Sequence, residues 1–203
     1  MSAFTAEGPV LWYLNRGTGT VTLVLFTATI ALGVLSLGGR PARGVPRFVT
    51  QALHRNLAML AFGLLVGHVV SAVIDEYVDI AWWHAFVPVG ATYQPLWLGL
   101  GAVALDLLAV LVVTSLFRHR LRHRTWRLLH QLAWPMWVLS LAHGVGMGTD
   151  LRGGWWLVTV ACAVAVPMAA VWRLVLLGWD RSEHRAATPL DDPSPTQPLR
   201  VLR

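Results

Sequence analysis

Long uncharged runs of apolar residues alternate with short polar connections. Residues 17–39 carry no charge, nor do 56–74, which end at Asp75 and Glu76. Residues 95–117 are interrupted once, by Asp106; 128–149 contain no charged residue, and 153–177 hold Arg173 near their end. Crossing a bilayer core takes about 20 mostly apolar residues, so the pattern predicts five spans. A lipid-exposed span must satisfy its own backbone, which makes all five helices. Pro95 suits the first turn of the third. The first stretch is too long for a signal-peptide core and has neither a basic segment before it nor a small-x-small cleavage site after it, so it is expected to be a retained span. The expected architecture is an all-α integral membrane protein, a five-helix transmembrane bundle over residues 1–178. Residues 179–203, with Pro189, Pro193, Pro195 and Pro198 and little apolar content, read as a disordered cytoplasmic tail. The connection 75–94 holds Trp82, Trp83, His84, Phe86 and Tyr93. Such aromatics sit at headgroup level, and a short helix on the outer surface is expected there. No period of about 20–50 residues repeats.

Composition agrees with a membrane chain. Hydrophobic residues make up 56% of the 203 residues and charged ones 13%, about half the fraction of a soluble domain. The net charge of +6 would by itself be compatible with nucleic-acid binding, but the placement of the basic residues, all arginine, explains it differently. Arg40, Arg43, Arg47 and Arg55 flank the first connection; Arg118, Arg120, Arg122, Arg124 and Arg127 crowd the third; Arg173, Arg181 and Arg185 follow the last span. Only Arg16 and Arg152 fall on the other side, beside Glu7, Asp75, Glu76, Asp79 and Asp150. Short cytoplasmic loops collect arginine, so the N-terminus is expected outside and the C-terminus in the cytoplasm. The location expected is a cell membrane, a bacterial inner or plasma membrane. The one cysteine, Cys162, excludes an internal disulfide, a zinc–thiolate site and a CxxCH haem attachment. Any metal must be held by nitrogen or oxygen.

Four of the eight histidines lie in the second and fourth stretches or at their edges. Ionisable groups at membrane depth are costly and usually functional. The two spans run parallel, from inside to outside. His54 and His130 enter near the basic edge, and His68 and His143 follow 14 and 13 residues later, roughly 20 Å further along a helix. The four therefore define two pairs at matched depths. A neutral imidazole is a good axial ligand for haem iron, and two fill both axial positions, which favours electron transfer. Two haems b held in this way would connect the two faces of the membrane. On an ideal helix, 14 residues return His68 to within about 40° of His54, but 13 leave His143 about 140° from His130. Pro135 lies between the latter two, and a distortion of the fourth helix is expected there. Core histidines hydrogen-bonded to neighbouring helices are the competing reading.

The stretches LWYLNRGTGTV, LHRNLAMLAFGLLVGH and WRLLHQLAWPMWVLSLAHGVGMGTD resemble the ferric-reductase-like transmembrane domain, the membrane part shared by NADPH oxidases, metalloreductases and the haem-binding subunit of bacterial methionine sulfoxide reductase. The resemblance covers about residues 10–178. It implies that His54 with His130 holds an inner haem iron and His68 with His143 an outer one, and with the charge pattern it suggests that Arg16 pairs with propionates of the outer haem. Arg55 and Arg127 would do the same at the inner haem, although positive-inside topology already accounts for both. Oxidases and metalloreductases of the family continue into a cytoplasmic flavin and nicotinamide domain, whereas here no Gly-rich phosphate-binding turn follows a strand. The expectation is thus an electron-transfer subunit that takes electrons from a separate cytoplasmic flavoprotein, a reduced flavin or a membrane quinol and passes them to an extracytoplasmic redox partner. Nucleic acid is not an expected partner.

Two alternatives stay open. One is a stand-alone transmembrane reductase of ferric iron or oxygen at the outer haem; the other is a non-redox membrane protein. Asp106, near the middle of its span, reads as an interhelical hydrogen-bond donor or as a proton or quinol contact. His119 and His123 are four apart among five arginines, which would repel a cation, so a solvated basic loop is expected, suited to an acidic flavoprotein or anionic headgroups. His84 reads as an interfacial residue. Trp134, Trp137 and Trp172 are expected to pack against haem faces or lipid.

Overall fold

A computed structural model describes residues 7–36, 46–75, 78–148 and 154–187. All regular structure among them is helical: α1 (Glu7–Leu35), α2 (Arg47–Ile74), α3 (Pro95–Leu116), α4 (His123–His130), α5 (Ala133–Met147) and α6 (Trp155–Ala187), with 3₁₀ turns at Trp82–Ala85 and Arg118–Arg120. Four helices are long and apolar enough to cross a membrane, at Val10–Leu35, Phe48–Ile74, Pro95–Leu116 and Trp155–Gly178. This is a membrane protein. Pro95 opens α3 at its first helical position, as expected.

The fourth expected span is not one helix. It is divided at Gln131–Leu132 into α4 and α5, and the cause is Pro135. Proline has no N–H for the carbonyl four residues back, and its ring crowds that carbonyl. The carbonyl concerned is that of Gln131, which accepts instead from the Trp134 N–H at 3.1 Å, while Leu132 N–H reaches Leu129 O at 3.0 Å. These are three-residue steps, so the chain winds here by about 120° per residue, against about 100° in an α-helix. α5 is thereby rotated relative to α4.

Two other expectations change. The segment expected as a disordered tail from residue 179 is helical through Ala187, because α6 continues without a break; 188–203 lie outside the described residues. Among the described residues the aromatic segment before α3 contributes one 3₁₀ turn, in which Trp82 is exposed but His84 is buried, its Nδ1 accepting the Ala81 N–H at 3.1 Å. His84 is a packed residue of that turn.

α1 is the hub, packing on α2, α5 and α6, while α3 packs on α5. The apolar core is Leu23 and Phe26 of α1, Ala61 of α2, Ala104, Leu108 and Leu111 of α3, Met136 and Trp137 of α5, and Cys162 and Val166 of α6. Ala61 is seven residues from both His54 and His68. The core is therefore a layer across the middle of the bundle, between two levels of histidine. Within it Trp137 Nε1–H donates to Thr27 Oγ1 at 2.9 Å, tying α5 to α1.

Candidate cofactor site: two facing histidine pairs

His54 and His68 project from α2; His130 ends α4 and His143 lies in α5. The rings meet pairwise. His54 and His130 have ring centres 6.3 Å apart, and so do His68 and His143. The two planes are inclined at 55° in the first pair and 86° in the second.

Three of the four rings are held in the same way. His68 Nδ1–H donates to the Asn15 carbonyl at 2.9 Å, His54 Nδ1–H to the Thr29 carbonyl at 3.0 Å, and His143 Nδ1–H to the Trp97 carbonyl at 2.8 Å. Four residues after each accepting carbonyl stands a glycine: Gly19, Gly33 and Gly101. A helical carbonyl already accepts from the N–H four residues on, and a side chain at that position would cover its remaining lone pair. A Cβ on Gly19 would lie 2.8 Å from the His68 ring, one on Gly101 2.6 Å from the His143 ring, and one on Gly33 3.7 Å from the His54 ring. Glycine lets the imidazole reach the backbone. With Nδ1 protonated and bonded, Nε2 keeps the lone pair, the tautomer a metal ligand needs. Asn15 adds a second tie, its Nδ2 donating to His68 O at 2.8 Å and to Ser71 Oγ at 3.2 Å.

His130 differs. Its Nδ1 is buried with no hydrogen-bond partner among the described residues, and no described glycine abuts its ring. It is positioned by Trp126, one turn earlier on α4, which stacks on it with centres 4.9 Å apart and planes at 19°.

Two imidazole nitrogens bonded to one metal at about 2.0 Å, each ring centre roughly 1.1 Å behind its nitrogen, put the centres roughly 6 Å apart. Both observed spacings fit. No cluster of three or more His, Cys, Asp or Glu occurs among the described residues, so each pair offers a metal only two ligands. A group that brings its own in-plane donors suits such a pair. α2 packs chiefly on α1, and its histidines face those of α4 and α5 without a packed helix seam between them among the described residues.

The three arginines are placed differently. Arg16 of α1 lies over the Trp12 ring at 5.3 Å, has a guanidinium nitrogen close to Gly148 beyond the end of α5, and carries a buried Nε without a partner among the described residues. Arg55 is exposed on α2. Arg127 is exposed on α4 and donates to His123 Nε2 at 3.2 Å. Asp106, half-buried in α3, makes no hydrogen bond or ion pair among the described residues, so the expected interhelical bond is absent there. His119 and His123 are exposed in the basic segment. Of these three tryptophans, Trp137 is buried and Trp134 and Trp172 are exposed.

Sequence reading missed the three glycines, the carbonyls they uncover, and Trp126. A signal for them exists: Asn15 and Thr29, like Gly19 and Gly33, are 14 residues apart, the spacing of His54 and His68 on the helix they pack against.

Residues 18–141, more than half of the chain, match the family described as ferric reductase like transmembrane component. The match includes His54, His68 and His130 and stops two residues short of His143. No curated protein and no solved structure matches. Proteins of that family are generally haem-binding, and the family points to a membrane redox role. The chain belongs to the ferric-reductase-like transmembrane family.

Proposed function

We propose that this protein is a di-haem membrane cytochrome b that carries electrons across the bilayer as a subunit of a multi-protein oxidoreductase. The observation that carries the reading is the pair of facing imidazole couples, each 6.3 Å centre to centre, on α2 residues 14 apart. That separation corresponds to roughly 20 Å of helix. His54 and His130 are the ligands at the inner level, His68 and His143 at the outer. A haem held at each level, by His54 with His130 and by His68 with His143, would supply a one-electron iron couple there.

The chain's own residues then have defined tasks. The Asn15, Thr29 and Trp97 carbonyls hold three ligands in one tautomer and raise their basicity. The apolar layer around Ala61, Phe26 and Trp137 excludes water between the levels. Arg16, with its unmet Nε at the outer end, supplies a charge-assisted donor for a propionate carboxylate; Arg55 and Arg127 offer weaker, exposed contacts at the inner end. In this reading α4 and α5 together make the fifth crossing, the N-terminus is outside, and the exposed arginines at 118, 120, 122, 124 and 127 form a cytoplasmic face for an acidic flavoprotein donor. A reduced flavin or quinol is the other donor class, and the acceptor is an extracytoplasmic redox partner.

Purified full-length protein should hold two haems per chain and show b-type bands in its reduced-minus-oxidised spectrum. His54→Ala and His68→Ala should each remove one haem. Protein that carries no haem after expression with ample haem supply overturns the reading.

A further inference from the structure

The four histidines are not equivalently held. His54, His68 and His143 each have a backbone carbonyl on Nδ1 and a glycine against the ring. His130 has neither. Its buried Nδ1 is without a partner among the described residues, it is the last residue of an eight-residue helix, and a break in the helix follows at once. What positions it is the flat stack on Trp126. An outer-shell hydrogen bond fixes a ligand's ring and strengthens its bond to the metal, and its loss typically costs 10–100-fold in affinity. A buried donor with no acceptor is a further penalty on keeping the ring where it is. His130 is the ligand whose departure disturbs least: its release breaks no hydrogen bond of Nδ1 and frees the ring to find an acceptor elsewhere.

We infer that His130 is the displaceable ligand of the four, and that the site it shares with His54 takes a small neutral diatomic ligand in its place. The inference rests on the bis-imidazole haem reading above. In the exchange one iron–nitrogen bond to His130 opens and one bond from iron to the incoming donor atom forms. No electron or proton changes hands. Trp126 is a positioning residue: its stack holds the ring in the ligating orientation and so slows release. The outer pair, clamped on both sides by Asn15 with Gly19 and by Trp97 with Gly101, stays closed.

The test uses purified full-length protein, reduced with dithionite and exposed to carbon monoxide, after the haem-to-protein ratio has been measured. Wild type should take up one carbon monoxide per two haems, at a rate that saturates with gas concentration because ligand release limits it. Trp126→Ala should raise that limiting rate on the order of 10-fold, and Trp126→Phe, which keeps a stacking ring, should restore it. His130→Ala that keeps both haems should still bind one carbon monoxide per chain, now without saturation; if the variant loses a haem, uptake should vanish with it. Two carbon monoxide molecules per chain in His130→Ala, or uptake that survives loss of the inner haem, places the reactive site at the outer pair and overturns the inference. So does a wild-type protein that holds two haems and binds none. A wild-type protein without haem fails at the first measurement, and overturns the haem reading together with this inference.

Discussion

A methyl group on Gly19 would lie 2.8 Å from the Cε1 atom of His68, so the identity of one small residue on α1 decides whether an imidazole on α2 can reach the carbonyl of Asn15. Gly19→Ala, and equally Gly101→Ala against His143, should cost the outer level its haem. Gly33→Ala should be tolerated, since its Cβ would stand at an ordinary contact distance of 3.7 Å from His54. The haem-to-protein ratio checks this: about one haem per chain for the first two variants and an unchanged ratio for the third.

Pro135→Ala restores the N–H that the Gln131 carbonyl lacks. A continuous helix would lose the extra winding of that step, about 20° per residue, and turn His143 away from the bearing it now has relative to His130, so that the two levels could no longer both be served. The expected outcome is loss of one haem together with an increase in helical circular dichroism. Retention of both haems would show that the step at Gln131–Leu132 does not depend on proline.

Trp137→Phe keeps a large ring in the middle layer but removes the donor to Thr27 Oγ1. Thr27 Oγ1 still donates to Leu23 O at 2.8 Å, so the threonine hydroxyl is not left without any bond. The net worth of a single buried hydrogen bond is about 1 kcal/mol, and the thermal midpoint in detergent should fall by a few degrees with haem content unchanged.

Asp106→Leu should raise the thermal midpoint. A carboxylate at the centre of a spanning helix costs about 3 kcal/mol on insertion, and in this chain it has no partner among the described residues to offset that. Should the variant instead be less stable, or fail to support electron transfer while keeping both haems, the carboxyl has a task outside the contacts seen here.

Much of the fold was legible in the sequence because lipid imposes a simple rule. A span must be long, apolar and internally hydrogen-bonded, so α1, α2, α3 and α6 are visible as long apolar runs with few charges. The split of the fourth run was legible only in part. Pro135 marked it as distorted, but the bend falls four residues earlier, at Gln131, because proline acts on the carbonyl it cannot serve. The end of α6 was misread: Asp180 and Arg181 changed the composition, yet a helix already under way continues through polar residues once it leaves an apolar environment.

The candidate site was legible in its histidines and not in what holds them. Costly polar residues at matched depths are a signal that survives in one dimension. The glycines are not, since glycine is common in membrane helices and only packing shows that Gly19, Gly33 and Gly101 each face a ring while Gly17, Gly63 and Gly67 meet nothing. His84 reverses the lesson: an aromatic neighbourhood suggested the interface, and packing buried it.

By itself, then, the sequence determined the membrane habit, the helical class, the spacing of four histidines along their helices and the place of one helix breaker, because each follows from local composition and from the fixed rise of a helix. Only the tertiary structure decided which histidines meet, which carbonyls orient them and which one is left unheld. Those depend on how far apart two helices stand and how one is turned about its axis, and side chains of residues distant in sequence settle both.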